Sequence, residues 1–331
     1  MKWRAVLCAV LVTAALAACA GDDDDGAAAT ELTDVTLVLN WTPNAHHLGV
    51  YAAKELGYYE DAGIDLEIVE PTQAGAEQAV GAGEAAFGIS IAEAVLPARA
   101  QGVPIVSIAT ILPVNDSALM ALGSDGISTA ADLGDKTYGG YGGPLETELI
   151  SRLAECGGVD PASVNHVEVG NVDYLAGLEA NRFDFAWVFA GWDALRASEI
   201  EGADIDLVRF DDYEDCIPNW YTPLFITNET MLAENPDLVR AFLDATTRGY
   251  DLAIEDPEAA TAAMLAAVPE MDEPLLHAAA AYYATRFATD DEPFGTQDEA
   301  TWTDFEAFLL DAGLLESEVP VGETFTNDYL P

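Results

Sequence analysis

Nine residues stand where a strand-like run gives way to a helix-like one and carry groups that can stack or bond. They are Asn40, Trp41, His47, Ser90, Tyr141, Glu146, Trp187, Trp192 and Tyr221. The densest group lies in NWTPNAHHLGVY (residues 40–51), directly after the apolar run DVTLVLN. Any one aromatic here could pack in a core. Counting Phe189, however, six of them fall at such junctions, and together they suit a flat ring held between aromatic faces. Carboxylates share the junctions at Glu93, Glu146 and Asp193, where they accept hydrogen bonds and attract positive charge. The basic residues nearby are Lys136, Arg182 and Arg196. A pocket for nitrate, sulfonate or phosphate needs cationic donors aimed into it. Acceptors and aromatic faces point instead to a planar, nitrogen-rich ligand, neutral or cationic.

Catalytic motifs are missing. GISIA fails the G-x-S-x-G pattern at its last position, and neither G-x-x-x-x-G-K-[ST] nor G-x-G-x-x-G occurs at a strand–helix turn. GGYGGP lacks the lysine and hydroxyl that hold phosphate and magnesium, so it reads as a tight turn before a helix begun by Pro144. The histidines are His46, His47, His166 and His277. Adjacent positions on a helix point about 100° apart, so His46 and His47 suit hydrogen bonding better than joint metal ligation. No metal and no cofactor is expected. For His47 two roles stay open: a ligand contact, or a hydrogen bond that orders the start of a helix.

Short β-like runs alternate with helical stretches: VTLVLN, IDLEIVE, AAFGIS and PIVSIATIL form one series, and KTYGGY, VNHVEVG, FDFAWVF and IDLVRF a second. Such alternation predicts an α/β fold with helix-covered parallel sheets. Two series predict two lobes. The extended segments 117–124 and 221–229 are expected to cross between them. Lobe one is then 33–122 plus 222–331, with helices punctuated by Pro257, Pro269 and Pro274, and lobe two is 123–221. Ligands of such sheets sit beyond the carboxyl ends of the strands.

The chain has 331 residues, 50% of them hydrophobic, and a formal charge of −47 from 59 acidic and 12 basic residues. That charge excludes nucleic acid and anionic lipid surfaces as electrostatic partners. Acid excess with lysine only at positions 2, 54 and 136 suggests a saline medium that screens the self-repulsion. Residues 1–18 have the charged start and short apolar stretch of a signal peptide, ending in Leu16-Ala17-Ala18-Cys19. That ending resembles a bacterial lipobox, with Cys19 as the lipidated residue and 19–32 as a flexible tether. In an exported chain the remaining Cys156 and Cys216 either pair or stay as thiols; sequence leaves both open.

LVLNWTPNAHHLGVYAAKELGYYEDAGIDLEIVEPT resembles the start of the periplasmic-binding proteins that share a fold with the thiamine pyrimidine synthases. YGGPLETEL, FDFAWVFAGWDAL, NWYTPLFITNE and WTDFEAFLLDAGLL continue the likeness over nearly all of the mature chain. The resemblance implies the type II periplasmic-binding-protein fold, with two α/β lobes and two crossover hinge segments. It implies an extracytoplasmic, lipid-anchored, monomeric binding subunit that partners the permease and ATPase of an ABC importer. The implied ligand is a hydroxymethyl- or formylaminomethyl-aminopyrimidine precursor of thiamine; riboflavin or another flat heterocycle is the alternative, and sulfonate or nitrate a further one. The motif asparagine, tryptophan and histidine fall on Asn40, Trp41 and His47, and the loop that caps the ligand falls on 139–146. An enzyme related to the synthases is a third alternative. Those relatives carry a cysteine-rich run, where this chain has DYEDCIPNWYTPLFI with one cysteine. No chemistry on the ligand is therefore expected.

Overall fold

Among the described residues, ten runs of four to six residues, most of them apolar and bounded by turns, become strands. In chain order they are β1 (Thr33–Val38), β2 (Ile64–Val69), β3 (Phe87–Ser90), β4 (Ile105–Thr110) and β5 (Ser117–Leu122). There follow β6 (Thr137–Gly140), β7 (Asn165–Glu168), β8 (Phe185–Phe189), β9 (Ile205–Arg209) and β10 (Leu224–Asn228). The structure is a computed structural model that describes residues 32–289 and 292–331. The signal segment 1–18, Cys19 and the tether up to residue 31 lie outside the described residues.

Two sheets result, in the orders β2-β1-β3-β10-β4 and β7-β6-β8-β5-β9. In each, four strands run parallel and one opposes them: β10 pairs antiparallel with β3 and β4, and β5 with β8 and β9. The opposing strand is the one delivered from the other sheet. One crossing leaves the carboxyl end of β4 for the amino end of β5; the second leaves the carboxyl end of β9 for the amino end of β10. Both crossings thus join the carboxyl edges of the two sheets, and those edges are placed together. Asn219 ties the crossings to each other, accepting from the Asn115 amide at 2.9 Å and donating to the Pro113 carbonyl at 2.8 Å.

These pairings move the boundaries read from sequence. Residues 117–122 do not cross; they are a buried strand inside the second sheet, and 224–228 is a strand inside the first. The crossings are 111–116 and 210–223. An apolar run flanked by turns looks alike in a connection and in a central strand, since both faces of each are covered.

Helices Pro236–Glu255 and Pro257–Ala267 pack on Leu48–Glu55 beside the first sheet. The approach is close. A side chain on Gly49 would meet the Tyr250 ring, and one on Gly249 would meet the Gly49 carbonyl, so both positions demand glycine. The core clusters divide in a telling way. One belongs to the first sheet and one to the outer face of the second. The third runs from the first sheet through Trp220 and the Phe305 ring stacked on it (5.1 Å) to Leu149 and Leu153 of helix Pro144–Cys156. The lobes therefore share buried apolar surface at the second crossing. Cys156, the last residue of that helix, is joined to Cys216 in the same crossing by a disulfide with Cα atoms 6.2 Å apart.

Candidate functional site

At the carboxyl end of β1 the chain turns through Asn40 and Trp41 into a single helical turn, Ala45–His47. Asn44 caps it, its side chain accepting from the His46 amide at 2.9 Å. The imidazole of His47 completes the motif. Its Nδ1 accepts from the Asn44 amide (3.3 Å), which leaves Nε2 as the donor to the Asn40 side-chain oxygen (2.9 Å). Both ring nitrogens are thereby used, and the ring is fully buried. Of the two roles left open for His47, these bonds describe the one that orders the helix start. Burial, with His46 alongside, pushes its pKa down to about 3 and keeps it neutral. Trp41 is 49% exposed.

The loop after β6 has the same design with other residues. Glu146, in the first turn of helix Pro144–Cys156, accepts from Tyr138 Oη (2.8 Å) and the Tyr141 amide (3.0 Å) on one oxygen. Its other oxygen accepts from the Gly143 amide (2.9 Å). Gly142 supplies the positive φ, +81°, that this turn needs. The carboxylate organises the loop, and the loop holds Tyr141 48% exposed. An exposed aromatic thus stands at the carboxyl edge of each sheet, on a loop whose polar groups are satisfied from within.

Other predicted residues divide between the edges and the interior. Ser90 ends β3, fully buried, and donates to Glu77. Trp187 lies on β8, tilted against Phe210 and edge-on to Trp220, with its Nε1 enclosed and unpartnered. Trp192 packs on the core of the first lobe, because the helical segment that follows β8 leans on helix Glu273–Tyr283. Tyr221 is interior: 4% exposed, its hydroxyl accepts from the Asp298 amide at 2.7 Å and its ring tilts against Trp302. Trp192 thus packs, partly buried, where second-lobe chain leans on the first lobe, and Tyr221 is held inside the first lobe by Asp298 and Trp302.

Residues 44–260 match the model of the family described as NMT1/THI5 like. The chain belongs to the NMT1/THI5 like family. It is 28% identical to the 4-amino-5-hydroxymethyl-2-methylpyrimidine phosphate synthase of Legionella pneumophila, over 90% of this chain and 92% of that one. It is 27% identical to the formylaminopyrimidine-binding protein of Halalkalibacterium halodurans, over 89% and 90%. In three dimensions it is similar to the alkanesulfonate-binding protein SsuA of Xanthomonas axonopodis pv. citri. There the TM-score is 0.66 and the identity 14%, covering 89% of this chain and 99% of that one. This likeness shows the fold, the type II periplasmic-binding-protein arrangement of two α/β lobes.

In this NMT1/THI5 like chain the cations considered from sequence lie away from the facing edges, and those found there are paired. Lys136 and Arg182 precede β6 and β8 and so lie at the opposite, amino edge. Arg209 ends β9, but its guanidinium is taken by Asp211 (3.0 Å), the Tyr282 hydroxyl (3.1 Å) and Asp116 (3.4 Å). Arg196 meets Asp272 at 3.5 Å.

Three residues absent from the expected site matter to its shape. Val114, 43% exposed, is a further apolar side chain beyond a carboxyl end, that of β4. His46 is buried edge-on to Phe189 of the second lobe (5.4 Å) and to Tyr283 (4.7 Å). Asp116, in the first crossing and 1% exposed, accepts from the Tyr282 hydroxyl (2.6 Å), the Tyr283 hydroxyl (2.9 Å) and the Gly191 amide (2.7 Å). It clamps a helix of one lobe to a helix start of the other. Only the apolar context of Asp116 in a crossover could have drawn attention to it. Replacing it by Asn turns an N–H₂ toward donors. Asp116→Asn is expected to lose about 2–4 kcal/mol of stability in urea unfolding. An Asn variant as stable as the parent would show that the clamp is dispensable.

Proposed function

We propose that this protein is the extracytoplasmic solute-binding subunit of an ABC importer and that it captures an aminopyrimidine precursor of thiamine between its lobes, unaltered. One observation carries the reading. Two half-exposed aromatics, Trp41 and Tyr141, stand at facing sheet edges that, among the described residues, hold no uncommitted arginine or lysine at either loop. The ligand ring stacks between them. Asn40, its oxygen held by His47, offers its amide nitrogen to the ring, while Glu146 keeps the Tyr141 loop in place. Closure bends the crossings 111–116 and 210–223, and the closed form docks on the permease. The chain works as a monomer tethered through lipid on Cys19, and the fold and the family relatives support an extracytoplasmic solute-binding role.

Mass spectrometry of ligand released from the purified protein tests the class. Thermal-shift titration with hydroxymethyl- and formylaminomethyl-aminopyrimidine, riboflavin and taurine ranks the candidates. A pyrimidine at 100 times its Kd adds about 2.7 kcal/mol of stability. A shift with taurine alone rejects the reading. Trp41→Ala and Tyr141→Ala are each expected to weaken pyrimidine binding roughly 10- to 100-fold with little change in the unliganded melting temperature. Unchanged affinity in both removes these residues from the site.

A further inference from the structure

The lobes meet at two places that are built differently. At the second crossing they share apolar core, with Trp220 stacked on Phe305, and the Cys156–Cys216 bond fastens the same segment. The other meeting place is where helix Glu273–Tyr283 of lobe one rests on the helical segment 190–200 of lobe two. Trp192 and Leu195 pack there, partly buried, but polar groups hold the contact. Tyr282 and Tyr283 reach Asp116 from one lobe, and the Gly191 amide and the Arg209 guanidinium reach it from the other. At the rim Arg196 meets Asp272, their side chains 39% and 34% exposed. Polar bonds at such a rim can be exchanged for bonds to water, whereas separating apolar core exposes it.

We propose that the contact of helix Glu273–Tyr283 with segment 190–200 is a latch, docked while the lobes stand together and open to water when they part, with the core at the second crossing as the fixed side. Two further details support it. The first is Gly191. Its φ lies outside the left-handed region, and alanine is the better helix former, so its own backbone does not ask for glycine. A Cβ there would nevertheless strike the rings of Tyr282 and Tyr283, so the glycine serves the approach of the other lobe. The second is His46. It is enclosed by Phe189 of lobe two and Tyr283, and its Nε2 has no partner. That unmade bond is a cost of docking which water makes good on opening. One hub thus favours the docked state and one unsatisfied nitrogen opposes it, the balance that a contact with two states requires. The latch concerns how the empty protein stands, whatever its ligand, and so goes beyond the binding reading above.

The ligand-free full chain tests it. Gly191→Ala sets a methyl group between the lobes and is expected to raise the radius of gyration in small-angle scattering while the circular dichroism stays that of the parent. A folded variant with the parent's radius overturns the latch and leaves Asp116 as a fixed strut. Arg196→Glu acts at the rim without touching Asp116. Facing Asp272 with like charge, it is expected to speed hydrogen exchange of the Gly191 amide about 3- to 10-fold, because rim and hub open together. Unchanged exchange at Gly191 overturns the latch, even where Gly191→Ala fails to fold. Neither measurement uses a ligand, so either failure leaves the aminopyrimidine reading as it stands.

Discussion

Lowering the pH from 6.5 is expected to unfold this protein more readily, chiefly through two adjacent histidines. His46 and His47 are 5% and 0% exposed, and burial lowers their pKa values from 6.5 to about 4 and about 3. For His46 the charge of Asp116 works against burial without overcoming it. Both groups are thus neutral in the fold where the unfolded chain binds protons. Their contribution is fully present above pH 6.5 and is lost as pH falls toward the folded values. Each group alone gives a slope of about 1.4 kcal/mol per pH unit, so the pair gives roughly 2.7 between pH 6 and 5. Glu93 has the opposite sign. Its folded value is raised from 4.5 to about 7, so it favours the fold as pH drops through that interval. Glu93 thus offsets about one of the two histidines, and Glu93→Gln should steepen the loss of stability by about 1.4 kcal/mol per unit relative to the parent. Urea unfolding at pH 6.0, 5.5 and 5.0 measures both slopes. A flat profile in the Gln variant, or an NMR titration placing either imidazole near 6.5, defeats the expectation. The chemistry behind it is specific. A proton on His47 Nδ1 would face the Asn44 amide that this nitrogen accepts from, so charging the ring breaks its bond to the capping turn.

The same stretch shows what a sequence can and cannot disclose. Asn44 before Ala45-His46-His47 is a recognisable cap, and a polar cluster after an apolar run marks the carboxyl end of a strand. From such signals the strands, the two series and the family fold are readable. Roles are harder, because they depend on partners far along the chain. His47 looks like a ligand contact until Asn40 and Asn44 are seen to occupy both of its nitrogens. Glu146 looks like a pocket acid until its donors are counted, the Tyr138 hydroxyl of β6 and two amides of its own loop. Asp116 carries no motif at all; its meaning comes from Tyr282, Tyr283 and Gly191, more than 70 residues away. Tyr221 is placed by sequence at a crossing, correctly, but the phenol turns inward to Asp298, which periodicity cannot report. Residues 117–122 fail for the reverse reason. Their apolar pattern is clear, but which sheet claims them is a long-range choice.

Removing the Cys156–Cys216 bond is expected to have an effect comparable to that of the histidine pair, by another route. The cysteines are 60 residues apart, and closing a loop of that length restricts the unfolded chain by about 4 kcal/mol. For a chain of this size that corresponds to a drop of roughly 5–12 °C in melting temperature. A Cys156→Ser/Cys216→Ser variant, or the parent under strong reductant, should show it in calorimetry. An unchanged melting temperature would mean that the unfolded chain is already restricted there, or that the bond does not form. Position adds a consequence for binding. Cys156 ends the helix whose first turn holds Glu146 and the Tyr141 loop, and Cys216 lies in the crossing that carries Asn219 and Trp220. The bond therefore ties the far end of the helix that carries the Tyr141 loop to the second crossing. Cutting it should raise the pyrimidine Kd several-fold even at temperatures where the reduced protein is fully folded, because closure would have to order a looser crossing. If reduction lowered the melting temperature and left the Kd unchanged, the bond would act on the unfolded chain alone and the crossing would owe its order to Asn219 and the Trp220–Phe305 stack.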